Sequence, residues 1–477
     1  MSKILPQNEH QLDICGDSIF GRVGFSVTLD SLLMLSNSIA NYCAHYNINN
    51  IYFGYDSSTW GKLFVEEVLA NRLHNLGYQI TLIDGSCPIF QLSWTVKQQT
   101  ELTKGSKDTL GIYVGTDSSY PDNLSIHFRN SEGFPLTESE VATIVSHSAS
   151  TAALLECPED DSLKIDLSEY SKYLLKLRLF PKSGLKSSGK INIDTMFGSS
   201  ETLVDEVVKH FSLSGDIFNR ATVPNRIVNY LPIPTGSFLK WKLDKCQYHF
   251  AIDGDGDSVG VLDPVQELEI SPSSLYMIFI KYLVEIKKKK GTIYISKALS
   301  DRVAVVAKHY GLRVKWVDSG VDGFSQALRR SDKRSALMYG DETGGFWFKG
   351  DTPDRNSILT ILILVSACNR FNKSPGQLVD VITDELLDSS YHFNFLEVSN
   401  QFISKSKLEK LLIKELSPTK QELGNTSVLR TSNDGKIVII DKKKYKSTIV
   451  LIESIDDAEV RNITDYIDKV GYNASKT

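Results

Sequence analysis

The chain has 477 residues, 41% of them hydrophobic and 23% charged, with a net charge of −5 at pH 7. That length is too great for one core, the composition is ordinary for a globular protein, and the charge carries no nucleic-acid footprint. The six cysteines form no C-x-x-C pair, which points away from zinc and redox chemistry and fits a reducing cytosol.

Residues 1–10 are polar and lack the apolar core of a signal peptide. Residues 51–54 read as a strand, 63–76 as an amphipathic helix and 79–84 as a second strand. The alternation recurs with a strand at 190–194 and a helix at 201–211. It returns once more with strands at 292–295 and 312–317 around a helix at 299–310. Three units of one grammar imply repeated α/β domains. The longest apolar stretch, 358–368, is too short to span a bilayer and reads as a buried helix. A cytoplasmic protein with neither membrane nor nucleic acid as partner is expected. The last hundred residues differ, with strands at 436–440 and 447–452 before a helix at 456–469, an α+β tail. The lysine runs 287–290 and 442–444 read as solvated surface.

Between two apolar runs, Asp253, Asp255 and Asp257 alternate with Gly254 and Gly256. Glycine lets the backbone turn sharply, so the three carboxylates can converge on one hard cation such as Mg²⁺. A calcium loop is excluded, because its sixth and twelfth positions hold Ser258 and Pro264 where Gly and Glu are required. A hairpin turn with solvated acids is the competing reading, and the strict alternation favours the metal loop.

Taken with the α/β units, this loop makes the chain resemble the α-D-phosphohexomutases, in particular the phosphomannomutase and phosphoglucomutase group, from about residue 18 to about 470. The resemblance implies three similar mixed-sheet α/β domains and a C-terminal α+β domain around a central cleft. The expected divisions are 1–152, 153–263, 264–376 and 377–477. It further implies a hexose phosphate ligand and phosphate transfer between O1 and O6 through a phosphoserine and a bisphosphorylated sugar.

The loops that carry this chemistry survive unequally. The family's metal loop, D-G-D-x-D-R, keeps Asp253, Asp255 and Asp257 as Mg²⁺ ligands but has Ser258 for the arginine. Its phosphoserine loop, G-I-x-x-T-[AG]-S-H-N-P-P-D, aligns without gaps on 111–122 and puts Asp117 at the serine nucleophile and Ser118 at the histidine. An acyl phosphate on Asp117 would hydrolyse too readily to be a resting carrier, whereas its carboxylate could face the metal. Ser118 is the alternative nucleophile. The sugar loop, G-E-x-S-G-H, corresponds to 340–345, so that Asp341 and Thr343 keep a carboxylate and a hydroxyl for sugar hydroxyls. The phosphate loop, R-[PT]-S-G-T-E-P, is degenerate: either 430–432 opens it or the lysine-rich turn 442–446 replaces it. Ser26 and Ser58 stand at two further arginine positions. These losses point to a catalytically impaired relative that binds metal, sugar phosphate or a protein partner, an active paralogue included. The alternatives are a working mutase using Ser118 and a metal-dependent hydrolase with Asp117 as nucleophile.

Overall fold

The computed structural model describes residues 12–103, 107–116, 123–147, 162–163, 167–181, 185, 190–218, 248–332, 334–387, 392–400, 403–424, 426–433, 435–442 and 447–475. Their strands form four sheets. In the first, Asn50–Tyr55 lies parallel between Gln79–Ile83 and Thr109–Thr116, which turns back antiparallel on Asn123–Arg129. In the second, Ile191–Asp194 runs parallel to Tyr248–Ile252, which pairs antiparallel with Val259–Asp263. In the third, Thr292–Ser296 is parallel to Arg313–Val317 and Ala336–Gly340, and the latter turns back on Phe346–Phe348. All three sheets thus share parallel strands followed by an antiparallel hairpin. The connections of the second and third hairpins are the segments read from sequence as the metal and sugar loops, and the connection of the first, 117–122, lies outside the described residues. The fourth sheet is antiparallel throughout, in the order His392–Ser399, Ser447–Ser454, Lys436–Lys442, Thr426–Arg430, Lys420–Glu422. This is the expected fold class, with mixed sheets in the first three units and an α+β fourth.

The strands formed where periodicity predicted because their buried faces are β-branched and aromatic. Ile51 and Phe53, for example, are fully buried. The helix expected at 63–76 is longer and irregular: Thr59–Phe64 and Asn71–Asn75 are α-helical and flank a π-helical stretch, Val65–Ala70. The apolar helix Ser357–Phe371 is buried almost throughout, starts at an Asn356 side-chain cap and stops at Asn372 in the left-handed region. It belongs to one apolar core that runs without a break through the second and third sheets, including Phe250, Ile295, Phe346 and Leu362. The first and fourth sheets carry separate cores, around Phe53 and Phe128 and around Leu429 and Ile463. The strand Ser162–Leu163 still pairs with the first sheet and Leu268–Ile270 with the second, so those sheets run past residues 152 and 263. No helix of the described residues is long and apolar enough to cross a membrane.

A buried charge network ties the first unit to the third. Arg129, 1% exposed, donates from Nη1 to Asp17 Oδ2 at 2.5 Å and from Nε to Asp354 Oδ2 at 2.7 Å. Ser93 adds its hydroxyl to Asp354 at 2.6 Å, and His127 Nδ1 lies 3.1 Å from Asp17. Burial alone would raise Asp17, but the adjacent His127 and Arg129 charges hold it well below the ordinary carboxylate range.

Candidate functional site

The metal loop is the connection of a hairpin whose last paired residues are Ile252 and Val259. Gly256 closes it with φ of +82°, and its N–H donates to Asp253 O at 3.2 Å. Ser258 N donates to Asp253 Oδ1 at 3.0 Å, curling the loop onto its own first acid. Its own unit, through Ser199, and the two neighbouring units, through Ile89 and Ser357, pin it from outside the loop. Ser199 donates from N and Oγ to Gly254 O at 2.9 and 2.8 Å, Ile89 N to Asp255 O at 2.9 Å, and Ser357 Oγ to Gly256 O at 2.5 Å.

This curl brings Asp253, Asp255 and Asp257 together, with one oxygen from each within 4.8 Å of the others. Asp253 and Asp255 are partly exposed and Asp257 is buried. Desolvation, followed by the neighbouring aspartates, pushes Asp253 well above the ordinary carboxylate range. Burial and Asp257 push Asp255 up to about 6. Three anions this close call for positive charge, and an all-oxygen donor set suits Mg²⁺ or Mn²⁺, so the residues present fit such an ion.

The sugar loop sits against this one through a bridge between Ser258 and Gly345. Asp341 is fully buried, and its Oδ1 accepts from Thr343 Oγ1 at 2.7 Å, Thr343 N at 3.1 Å and Gly345 N at 3.2 Å. Oδ2 accepts from Arg355 Nη1 at 3.0 Å and Tyr339 OH at 3.3 Å. Asp341 and Thr343, expected to face sugar hydroxyls, are here engaged with each other and with their own loop. The partly buried neighbour Glu342, not singled out from sequence, receives the hydroxyls of Ser296, at 2.8 Å, and Ser319. Ser319 lines a cavity of about 530 Å³ between the first, third and fourth units, with Gly16, Lys297, Lys405 and Asp441 also on its wall.

Asp117 and Ser118 lie outside the described residues, as do 443–446 of the lysine-rich turn. Arg430 ends the strand Thr426–Arg430, and its guanidinium pairs with Asp301, which also takes Lys436 Nζ at 3.1 Å.

The family model for phosphoglucomutase/phosphomannomutase, alpha/beta/alpha domain III, matches residues 271–385. Phosphoglucosamine mutase of Variovorax paradoxus (strain S110) is 22% identical over 381 residues, 77% of this chain and 81% of that protein. Residues 271–385 thus match a phosphohexomutase domain, and the chain as a whole is similar to phosphohexomutases. Its fold is similar to that of a Thermus thermophilus protein assigned as a phosphomannomutase, with a TM-score of 0.80 at 18% identity over 96% of this chain and 98% of that one. It is more distantly similar to Aspergillus fumigatus N-acetylphosphoglucosamine mutase in complex with GlcNAc-6P and magnesium. There the TM-score is 0.53 at 11% identity over 81% of this chain and 92% of that one.

Set beside the phosphohexomutase loop patterns, this chain uses the three serines at arginine positions for local structure. Ser26 Oγ accepts from Arg22 N at 2.9 Å. Ser58 caps the helix Thr59–Phe64 through Gly61 N at 3.0 Å and donates to Asp56 Oδ1 at 2.5 Å. Ser258 donates to Asp257 Oδ1 at 2.6 Å. The curl of the metal loop is testable through Gly256, where an added Cβ would lie 2.5 Å from Ser200 Oγ and 2.8 Å from Pro88 Cβ. Gly256→Ala is expected to cost roughly 1–3 kcal/mol of stability and to weaken Mn²⁺ binding. Denaturant unfolding and Mn²⁺ titration measure the two effects, and an unchanged Mn²⁺ affinity would show that the triad does not depend on this turn.

Proposed function

We propose that this phosphohexomutase-family protein retains a divalent-cation and hexose-phosphate cleft but has lost most or all of its intramolecular phosphotransfer. The observation that supports this most is the fate of Ser26, Ser58 and Ser258, each tied into backbone or carboxylate contacts where the family pattern has a cation. Phosphoryl transfer depends on preorganised positive charge around the moving group, and losing one such donor commonly costs about 10²–10³ in rate. Asp117 at the nucleophile position adds to this, since no stable phosphoserine can form there.

In this reading Asp253, Asp255 and Asp257 would hold Mg²⁺, which when bound would neutralise and polarise a phosphoryl oxygen. A sugar phosphate entering the cleft would be met by Asp341, Thr343 and Glu342, once hydroxyls of the sugar replace part of the loop's internal bonding. The four-domain division belongs to the same reading, with its first two boundaries shifted to follow Ser162–Leu163 and Leu268–Ile270. So do a cytoplasmic location and association with another protein such as an active paralogue.

Purified protein incubated with Mg²⁺ and glucose or mannose 1,6-bisphosphate is expected to show neither a stable phosphoprotein by mass nor conversion of 1-phosphate to 6-phosphate. Glucosamine phosphates belong in the same panel, because the curated relative is a phosphoglucosamine mutase. Thermal shift is expected to report binding of metal and sugar phosphate. Asp117→Ser is expected not to restore turnover, because the cations are missing too. A phosphorylated Ser118 together with turnover would overturn the reading.

A further inference from the structure

Arg355 is the side chain that joins the metal loop to the sugar loop. It leaves the backbone between Asp354, whose Oδ1 accepts Arg355 N at 2.9 Å, and Asn356, which caps the following helix. Asp354 is itself held by Arg129 and Ser93, so the stem of Arg355 starts from a fixed point. The guanidinium is 11% exposed, and its two partners are 1% and 5% exposed: Nη1 donates to Asp341 Oδ2 at 3.0 Å, and Nη2 pairs with Asp257 Oδ2. Asp257 therefore has one oxygen on Arg355 and the other on the Ser258 hydroxyl.

Two departures from the family pattern make room for this arrangement. Ser258 stands where the metal loop would carry its own arginine, so no second guanidinium competes for Asp257. Gly345 stands where the sugar loop would carry histidine, and a Cβ there would lie 2.5 Å from Arg355 Cδ and 3.2 Å from Nε. Even alanine at 345 would displace the arginine stem. The missing arginine at 258 and the missing side chain at 345 thus both leave room for the guanidinium of Arg355.

From this geometry we infer that Arg355 is a tethered cation that competes with a divalent ion for Asp257 and sets the metal affinity of the triad low. The inference rests on the metal reading of Asp253, Asp255 and Asp257. A divalent ion at the triad must either displace the guanidinium or sit beside a fixed like charge, and either weakens binding. Because the same guanidinium holds Asp341, metal entry also loosens the sugar loop, so occupancy of the triad is coupled to the freedom of Asp341 and Thr343.

The test is Mn²⁺ titration of the full chain by calorimetry, with hydrogen exchange of residues 340–346 followed in parallel. Arg355→Gln is expected to bind Mn²⁺ roughly tenfold tighter or more, with 340–346 exchanging faster even without metal. Arg355→Lys, a point charge without the fork, is expected to fall between parent and Gln variant. Gly345→Ala, which pushes the arginine aside and keeps its charge, is expected to tighten binding as well. Unchanged or weaker Mn²⁺ affinity in Arg355→Gln and Gly345→Ala, with binding still abolished by Asp257→Asn, would overturn the role of Arg355 and leave the metal site standing. Absence of Mn²⁺ binding in both the parent and Arg355→Gln would overturn the metal site itself, and the inference with it.

Discussion

Arg129→Met is expected to destabilise the folded chain by about 3–5 kcal/mol at pH 7, because it strands two buried carboxylates. Asp17 and Asp354 are 2% and 1% exposed, and Arg129 is the cation that donates to both. Methionine fills much of the volume, so the loss is electrostatic rather than a cavity effect. The pH dependence supplies a check on the cause. In the parent, the folded pKa of Asp17 lies below its unfolded value, so its contribution is present above about pH 4 and fades as pH falls further. In the variant both acids can take up protons on acidification, so the gap between parent and variant should narrow from pH 7 towards pH 4. Denaturant unfolding at several pH values measures this. A loss under about 1 kcal/mol at pH 7 would show that the network is exchangeable decoration, and the same substitution is expected to loosen the first unit from the third.

Asp255→Asn is expected to do the opposite to stability while removing metal binding. Burial and the Asp257 charge raise Asp255 to about 6, above its unfolded value, so the folded state binds the extra proton. The sign follows: stability from this group grows as pH falls through about 6 and is complete below about 4, and at pH 8 the charged form is a net cost. The metal-free variant should therefore be more stable than the parent at pH 8, by on the order of 2 kcal/mol after allowance for partial exposure. The difference should shrink on acidification to pH 4. Mn²⁺ affinity should drop by at least the roughly 10–100-fold that loss of an outer-shell partner costs. Unfolding at pH 8 and pH 5 without metal, and calorimetry with Mn²⁺, measure both. Equal stability at pH 8 would mean that the three acids are not crowded in the folded chain.

Much of the architecture was legible because it is local. Short runs of aromatic and β-branched residues at 50–55 and 292–296, with helical periodicity after each, were enough to place strands and helices. The Asp-Gly alternation marked the metal loop as a turn between two strands, and the strands Tyr248–Ile252 and Val259–Asp263 are there. The π-helical stretch Val65–Ala70 had no such signal, since its residues read as ordinary helix. The roles of Asp341 and Arg355 were illegible for a different reason. Arg355 reaches Asp257 across 98 residues and Arg129 reaches Asp354 across 225, and no spacing rule connects positions so far apart.

The sequence by itself determined the repeated α/β grammar, the family resemblance, the three convergent acids and the replacement of arginines at Ser26, Ser58 and Ser258. Each of these is a property of residue type and short-range order along the chain. Only the tertiary structure decided what those residues are bonded to: Asp341 turned inward to its own loop, Asp257 shared between Ser258 and Arg355, and Arg129 between two acids of different units. The physical reason is that a buried charge takes its partner from whatever the packing of separate sheets brings within about 3 Å. That choice is made by the meeting of the units and by the space Gly345 leaves open, neither of which is written in any one stretch of chain.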